Sequence, residues 1–275
     1  MTRFSSLILL APLAACSGDP VGGGPDAGSD VTDGDAAAPD AALPVEPDLS
    51  CFNLPPPAPP TTAVNPIVLG GRLMAFTTTG PMPVAAADIA LFRPGQPVVL
   101  ARTQSGSNGA FSSGAIATNG LPVHTYVKAM KPGYRTAFFY PPAPFTTNTA
   151  TLVVPTISDA AFAAVKTSLS AAQDDSKNGA LLVAVADCDG QRLPGATISV
   201  RRGMSQVGQA YDLGTLVPAD AGVFLVFDVP DGKVRVSATY QGMQLPEHDV
   251  MVRSSDPECP DATGTLTSTI VKPAV

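Results

Sequence analysis

The stretch that decides the fold is GALLVAVADCDGQRLPGATISV, residues 179–200, where an apolar run leads into a tight turn and then into a second short run. Leu181 to Ala186 is continuously apolar, as expected for a β-strand that is covered on both faces. Gly190 and Gly195 supply the turn glycines that separate short strands. This stretch therefore predicts two consecutive strands of an all-β domain.

The same order of signals occurs earlier in the chain. Each copy has an apolar strand, a turn, a strand that begins with alanine, a glycine two residues before a phenylalanine, an apolar–proline pair and a strand that closes near a glycine. In the first copy these are Gly71–Phe76, Gly80, Ala87–Leu91, Gly109–Phe111, Leu121-Pro122 and Gly133-Tyr134. In the second copy they are Gly179–Val185, Asp189-Gly190, Ala196–Val200, Gly222–Phe224, Val229-Pro230 and Gly242-Met243. The repeat predicts two β-sandwiches in tandem, each of about seven short strands.

The strand that closes the second copy shows which face is buried. Val234, Val236, Ala238 and Tyr240 alternate with charged and hydroxyl side chains. Alternation with a period of two is typical of a strand that buries one face.

This order of motifs resembles the carboxypeptidase regulatory-like module, a transthyretin-like or prealbumin-like β-sandwich. The second copy carries the D-x-x-G, L-P-G-A and G-x-F elements of that pattern in Asp187–Gly190, Leu193–Ala196 and Gly222–Phe224. The first copy has Ala86 where the pattern has glycine, but it keeps Gly133-Tyr134. The resemblance implies an all-β fold of two tandem transthyretin-like β-sandwich domains. Its motifs are structural and imply no particular activity.

The N-terminal residues indicate where the protein is sent. Arg3 precedes the apolar stretch Phe4–Ala15, which has the length of a signal peptide and is too short to span a bilayer. Leu13–Cys16, LAAC, resembles the lipobox of bacterial lipoproteins, in which the cysteine is acylated after cleavage before it. The resemblance implies a lipid on Cys16 and a lipid-anchored position at the outer membrane of the cell envelope, because Ser17 is not the aspartate that favours inner-membrane retention. The alternative is an ordinary secretory signal cut at the same place.

An acidic linker follows the proposed lipid site. Between Ser17 and Ser50 there are eight acidic residues and no basic ones, and PPPAPP occupies 55–60. A chain of this composition has too little apolar surface to offset its ordering entropy, so we expect disorder to residue 61. The chain carries a net charge of −7, and its part beyond Ser50 is formally neutral. Because no basic field remains to hold phosphates, we expect no nucleic-acid partner.

A short helix is expected between the two copies. Phe162, Val165 and Leu169 recur at helical spacing after Ser158, a residue type that caps helix N-termini. Asn178-Gly179 is typical of a helix stop. We expect this helix to pack on one sandwich, and a partner-binding helix is the alternative.

The predicted organisation is a signal peptide 1–15, the acylated cysteine and disordered linker 16–61, β-sandwich one 62–155, the connecting helix 156–178 and a carboxypeptidase regulatory-like β-sandwich 179–275.

Three cysteines remain if Cys16 carries a lipid. An oxidising compartment favours one disulfide among Cys51, Cys188 and Cys259, and the sequence allows all three pairings. Cys188 and Cys259 both lie in turn-like stretches of the second copy, which favours a disulfide between these two.

The sequence contains no recognisable catalytic or metal-binding motif. His124 and His248 are far apart in the chain, whereas an intradiol-dioxygenase-like iron site needs two histidines one residue apart. Neither histidine begins an H-x-x-E zinc motif, and there is no G-x-S-x-G nucleophile elbow. We therefore expect no enzymatic activity, no metal and no cofactor.

These observations favour a non-catalytic structural or protein-interaction module of the envelope, anchored to the membrane by its lipid. Its partner would be an unidentified envelope protein, bound for example by strand addition at an uncovered sheet edge. The alternative is a binding protein for a glycan or small solute at the cell surface or in the periplasm. The candidate ligand-binding residues for that alternative come from an aromatic-rich stretch and are Tyr134, Phe139 and Tyr140.

Overall fold

A computed structural model of the protein describes residues 46–273 apart from 53, 56, 78, 79, 97 and 257, and of 259–263 it describes the backbone only. The predicted signal peptide, the predicted lipid site Cys16 and most of the predicted linker lie outside the described residues. None of the helices among the described residues is long and apolar enough to cross a membrane.

The described part of the chain is mostly β-structure with one short α-helix. Its strands are β1 Ile67–Phe76, β2 Met82–Pro83, β3 Asp88–Phe92, β4 Val99–Gln104, β5 Ala110–Ile116, β6 Tyr126–Met130, β7 Thr136–Tyr140, β8 Thr149–Ile157, β9 Asn178–Val185, β10 Thr197–Arg202, β11 Ser205–Gln206, β12 Gln209–Asp212, β13 Val223–Pro230, β14 Gly232–Tyr240, β15 Met243–Gln244, β16 His248–Val252, β17 Ser255–Asp256, β18 Cys259–Thr263 and β19 Thr265–Val271. The helix is α1, Asp159–Ser168, and two 3-10 turns cover Leu213–Thr215 and Pro218–Asp220.

The two copies are joined by one eight-stranded sheet, which we call the shared sheet. Its strand order is β12-β13-β9-β19-β7-β6-β3-β4. Strand β19, the last of the chain, runs parallel to β9 of the second copy and parallel to β7 of the first. In the strand register, Thr267 of β19 is paired with Leu181 of β9 on one side and with Phe138 of β7 on the other. The sequence predicts two separate sandwiches in tandem, and the structure instead places the C-terminal strand between them as a common element.

Each copy has its own hydrophobic core between the shared sheet and a second sheet. In the first copy, β1 with β2, β5 and β8 covers one face of β3, β6 and β7 around Leu69, Ile89 and Val127. In the second copy, β10, β11, β14, β15 and β16 cover one face of β9, β13 and β19 around Leu181 and Val236. Both halves are therefore β-sandwiches, as predicted.

Strand β9 is covered on both faces, which confirms the prediction from its continuous apolar sequence. Leu181 and Val183 point into the core of the second copy. Ala180 and Leu182 point to the opposite face, where they pack beneath α1. The alternation predicted for β14 is also observed, since Val234, Val236, Ala238 and Tyr240 are its buried residues.

Helix α1 packs on the shared sheet and begins where the sequence predicts. The Ser158 hydroxyl accepts a hydrogen bond from the Ala161 amide at 3.1 Å, which satisfies one of the free donors of the first turn. Phe162 and Val165 are buried, and the Phe162 ring lies 5.2 Å from that of Phe227. The apolar face of the helix thus packs against the second copy, as expected for a helix that packs on one sandwich.

The predicted helix stop at Asn178-Gly179 is wrong, because α1 ends at Ser168 and β9 begins at Asn178. Gly179 has a packing role instead. A Cβ atom at this position would overlap the carbonyl oxygen of Arg253. Glycine is needed there because two backbone segments approach each other closely.

The disulfide joins Cys51 to Cys188, so the predicted pairing of Cys188 with Cys259 is wrong. The reason is a local docking of residues 46–52 on the second copy. The Asp48 amide donates to the Asp187 carboxylate at 3.0 Å, and the Cys188 amide donates to the Asp48 carbonyl at 3.1 Å. These bonds place Cys51 beside Cys188.

The predicted disorder of the linker up to residue 61 is therefore also incorrect for its last part. Leu49 and Phe52 pack against the core of the second copy. Farther along, the Ala63 and Val64 amides donate to carbonyl oxygens of Gly120 and Thr146 in the first copy. Apolar side chains within an otherwise polar segment account for this order, because they bury surface that the average composition does not reveal.

If β19 is the element that holds both halves, truncating a buried side chain on it will destabilise the protein strongly. We expect Leu266→Ala to lower the free energy of unfolding by about 2–5 kcal/mol, because Leu266 is only 1% exposed. Leu121→Ala is the matched control, since Leu121 is 62% exposed, and it should change stability by less than about 0.5 kcal/mol. Urea unfolding followed by circular dichroism measures both. Equal effects of the two substitutions would contradict the packing described for β19.

Candidate binding groove

A groove of about 780 Å³ lies on the face of β3, β6 and β7 that points away from the first core. One wall is the proline-rich segment 141–144, and the other is formed by Asp249, Val250, Met251 and Arg253 of the second copy. We call this feature the aromatic groove. A volume of this size is typical of sites for small molecules.

Strand alternation decides which side chains reach the groove. On β6, Val127 faces the first core, so Tyr126 and Lys128 face the other side. On β7, Phe139 faces the core, so Phe138 and Tyr140 face the groove. Phe92 of β3 lies opposite Tyr126 in the strand register and joins them.

Three of these rings form a row of nearly parallel planes. The centroids of Phe92 and Tyr126 are 5.2 Å apart with an interplanar angle of 10°. The centroids of Tyr126 and Tyr140 are also 5.2 Å apart, with an angle of 25°. Offset parallel rings are a favourable arrangement for aromatic side chains. The row lines the floor of the groove with the edges of stacked aromatic rings, and two of these rings carry a hydroxyl group.

A buried ion pair lies at one end of the groove. The Lys128 ammonium is 2.6 Å from the Asp256 carboxylate and 2.7 Å from that of Glu258. Lys128 is 1% exposed and Asp256 is fully buried. Glu258 also pairs with Arg102, at 3.0 Å. These bonds fasten the segment that contains β17 to the sheet of the first copy.

Arg253 is the cation of the groove that has no counter-ion among the side chains that the structure describes. Its guanidinium lies 5.6 Å from the centre of the Phe138 ring. No carboxylate among the side chains that the structure describes lies within ion-pair distance of it. Its Nε atom is buried and has no hydrogen-bond partner among the described residues. Arg253 is thus a positive charge whose electrostatic and hydrogen-bonding capacity is not fully used.

Both tyrosine hydroxyls of the groove stay protonated at neutral pH. Burial raises the pKa of Tyr140 to about 12, and the positive charge of Arg253 opposes this rise only in part. Burial also raises the pKa of Tyr126, again against the effect of Arg253. Since a protonated phenol can donate a hydrogen bond, the two tyrosines are available as donors.

The structure brings only one of the three predicted ligand-binding residues to the groove. Tyr140 lines it. Phe139 is 3% exposed and belongs to the core of the first copy, so it is not available to a ligand. Tyr134 packs against the same core from outside the groove, with the Lys131 ammonium 5.4 Å from its ring centre. The period of two in β7 explains the split, because neighbouring residues of a strand face opposite sides.

The sequence did not indicate Phe92, Tyr126, Phe138, Lys128 or Arg253 as site residues. Alternation along β6 and β7 could have grouped the four from the first copy on one face. Arg253 comes from the second copy, and nothing local in the sequence places it there. His124 lines the groove, while His248 lies on β16 with its Nε2 atom buried and without a partner among the described residues.

Burial lowers the pKa of His248 below its usual value, and the nearby Asp249 only partly offsets this. No group of three or more His, Cys, Asp or Glu side chains that could hold a metal occurs in the part of the chain that the structure describes. The side chains that line the groove supply aromatic rings, phenol hydroxyls, ion pairs, the His124 imidazole and the Arg253 guanidinium.

Comparisons with known proteins give partial matches among solved structures. The Bacillus anthracis TIE protein matches at a TM-score of 0.25 and 12% identity, over 75% of this chain and 34% of that protein, so this chain spans about a third of its length. The shaft pilin SpaA from Lactobacillus rhamnosus GG, as its D295N mutant, matches at 0.24 and 11%, over 76% and 100% of the two chains. GBS52, the minor pilin of Streptococcus agalactiae, matches at 0.24 and 11%, over 76% and 97%. No family model matches the sequence, and no curated protein matches it either. TM-scores of this size do not support an inference about function from these proteins.

Removing the buried ammonium group of Lys128 should lower the free energy of unfolding much more than removing an exposed lysine ammonium group. We expect Lys128→Met to lower the free energy of unfolding by about 3–5 kcal/mol, because it leaves the buried Asp256 carboxylate without its cation. Lys177→Met is the control. Lys177 pairs with Asp174 at the surface with a side chain that is 77% exposed, and its loss should cost less than about 1 kcal/mol. Similar losses for both variants, measured by urea unfolding, would show that the Lys128 pair is not desolvated as described.

The raised pKa of Tyr140 should make the free energy of unfolding depend on pH at high pH. Because the unfolded chain loses this proton near pH 10 and the folded chain near pH 12, the folded state binds more protons between these values and stability falls as pH rises through them. Tyr140→Phe lacks this titrating group, so its free energy of unfolding should fall less over this interval than that of the unsubstituted protein. The expected difference between the two is up to roughly 2–3 kcal/mol. Urea unfolding at several pH values measures the difference. Parallel pH profiles for the two proteins would contradict the assignment.

Proposed function

We propose that this chain is a lipid-anchored protein of the cell envelope whose folded body is a non-catalytic structural or protein-interaction module. The observation that carries this proposal is the shared sheet, in which β19 is hydrogen-bonded to both copies. A sheet that runs through two cores leaves no flexible segment at which they could hinge. Such a body suits a protein that holds a fixed geometry between partners. Assignment of each copy to the transthyretin-like family remains a prediction from the order of its motifs.

The proposed anchor rests on the sequence before the folded body. Leu13–Cys16 supplies the lipobox-like site, and residues 17–45 separate it from the first described residues. If this acidic segment behaves as a flexible chain, as its composition predicts, its ends would lie roughly 30 Å apart on average. The linker would meet the folded body at the second copy, where Cys51 is bonded to Cys188.

Protein partners could add to an uncovered edge of the shared sheet. Its edge strands are β12 in the second copy and β4 in the first. An extended segment of an envelope protein that pairs with one of them would satisfy backbone groups left free at the edge. This mode of binding needs no catalytic residue and fits the proposed role.

Loss of the acylated cysteine should release the protein from the membrane. We expect Cys16→Ala to move the protein from the membrane fraction to the soluble fraction, because two or more acyl chains are needed for stable anchoring and none would remain. Cys259→Ala is the matched control and should stay in the membrane fraction. Immunoblots of the fractions measure both, and crosslinking in cells with mass spectrometry identifies the neighbouring envelope protein. A Cys16→Ala protein that remained membrane-bound would overturn the anchoring proposal.

A second candidate function is binding of a glycan or small solute. The observation that favours it is the aromatic groove, whose volume suits a small ligand and whose Arg253 has no counter-ion among the described residues. Binding in this groove is compatible with the anchored role, because no residue of the edge strands β4 and β12 lines it.

A further inference from the structure

We infer that the aromatic groove binds a small aromatic carboxylate, with the ring of the ligand against the tyrosine rings and its carboxylate on Arg253. This inference rests on the second candidate function and names the chemical class of the ligand. It follows from the charge balance of the groove, the shape of its floor and the hydrogen-bond donors at its surface.

The charge balance points to an anion. Lys128 is paired with Asp256 and Glu258, and Lys233 is paired with Asp249 at 2.8 Å. Arg253 alone among the described cations that line the groove has no such pair. The carboxylates near the groove are already engaged by these lysines, so a ligand anion is the group that would complete the balance. A cationic ligand would be repelled by Arg253.

The guanidinium selects among anions. A planar guanidinium binds a planar carboxylate through two parallel hydrogen bonds, which makes this pair more specific than a contact between two point charges. Tyr126 and Tyr140 line the groove together with Arg253, which interacts with both hydroxyls through its charge and through side-chain hydrogen bonds. As protonated phenols they can donate further hydrogen bonds to the same anion.

The side chains of the groove floor and wall determine what kind of group can carry the carboxylate. Phe92, Tyr126 and Tyr140 form a row of parallel rings, and Pro141, Pro142 and Pro144 line the adjoining wall. A flat aromatic ring packs favourably against the edges of such rings in an edge-to-face arrangement. A sugar acid carries the same carboxylate, but the hydroxyls on its ring would lose water where they lie against the aromatic rings and prolines. An aromatic ring therefore fits the groove better than a sugar ring.

The test uses isothermal titration calorimetry on the full-length chain, purified in detergent, with four probes. Benzoate has both features of the proposed ligand. Benzyl alcohol has the ring without the charge, cyclohexanecarboxylate has the charge without the flat ring, and glucuronate is a sugar acid. We expect saturable binding of benzoate at one site and binding weaker by roughly tenfold or more for each of the other three.

Variants show whether binding occurs in the groove. Arg253→Gln should weaken benzoate binding roughly tenfold to a hundredfold, because a charge-assisted pair is replaced by a neutral contact. Tyr140→Phe keeps the ring and removes one donor, so a smaller loss of roughly threefold to tenfold is expected. Arg202→Gln is the matched control, since Arg202 is exposed on β10 and does not line the groove. Circular dichroism of each variant verifies that it is folded.

The possible results separate the ligand class from the candidate function. Groove binding of glucuronate, cyclohexanecarboxylate or benzyl alcohol as tight as that of benzoate would overturn the aromatic carboxylate while leaving small-solute binding intact. Benzoate binding that Arg253→Gln and Tyr140→Phe leave unchanged would place the ligand elsewhere and overturn the site. Absence of binding by all four probes would overturn both the ligand class and the second candidate function.

Discussion

The structure depends on the parallel pairing of the last strand with a strand from each copy. Because β19 is hydrogen-bonded to β7 and β9, neither half of the shared sheet has a free edge where they meet. Unpaired backbone groups at such an edge would favour association with other chains. The same pairing fixes the distance and angle between the two cores. The existence of the aromatic groove follows, since one wall of the groove belongs to each copy.

The composition of β19 explains why this arrangement is hidden in the sequence. Its buried residues include Thr265, Thr267, Ser268 and Thr269, which the alternation rule would assign to a solvated strand. The three threonine hydroxyls are accommodated because each donates to a backbone carbonyl, whereas the Ser268 hydroxyl has no partner among the described residues. The Thr269 hydroxyl donates to the Tyr140 carbonyl at 3.0 Å, and that of Thr267 donates to the Met251 carbonyl at 3.4 Å. Hydrogen bonding offsets the free-energy cost of burying hydroxyl groups. The carbonyls that accept these bonds are distant in sequence, so only the tertiary fold shows them.

Sequence reasoning succeeded where the cause of a structure is local. The apolar run at Leu181, the alternation around Val236 and the cap at Ser158 each depend on neighbouring residues and are observed. It was wrong where distant segments meet. The partner of Cys188 depends on docking of residues 46–52, and the separate-sandwich expectation was overturned by a strand at the end of the chain. The same holds for the residues of the groove. Strand alternation explains why Tyr140 lines it, whereas Arg253 comes from the other copy and no local pattern in the sequence predicts its position.

The covalent link at Cys51 determines how mechanical force would travel through the molecule. The chain between Cys51 and Cys188 contains the whole first copy and α1, so the disulfide closes a ring around them. Tension applied from the N-terminal side of Cys51 passes across the two sulfur atoms directly into the second copy. The backbone that leads from Cys51 into the first copy is bypassed by this path. A force applied at the N-terminal side of Cys51 would therefore reach the second copy before the first.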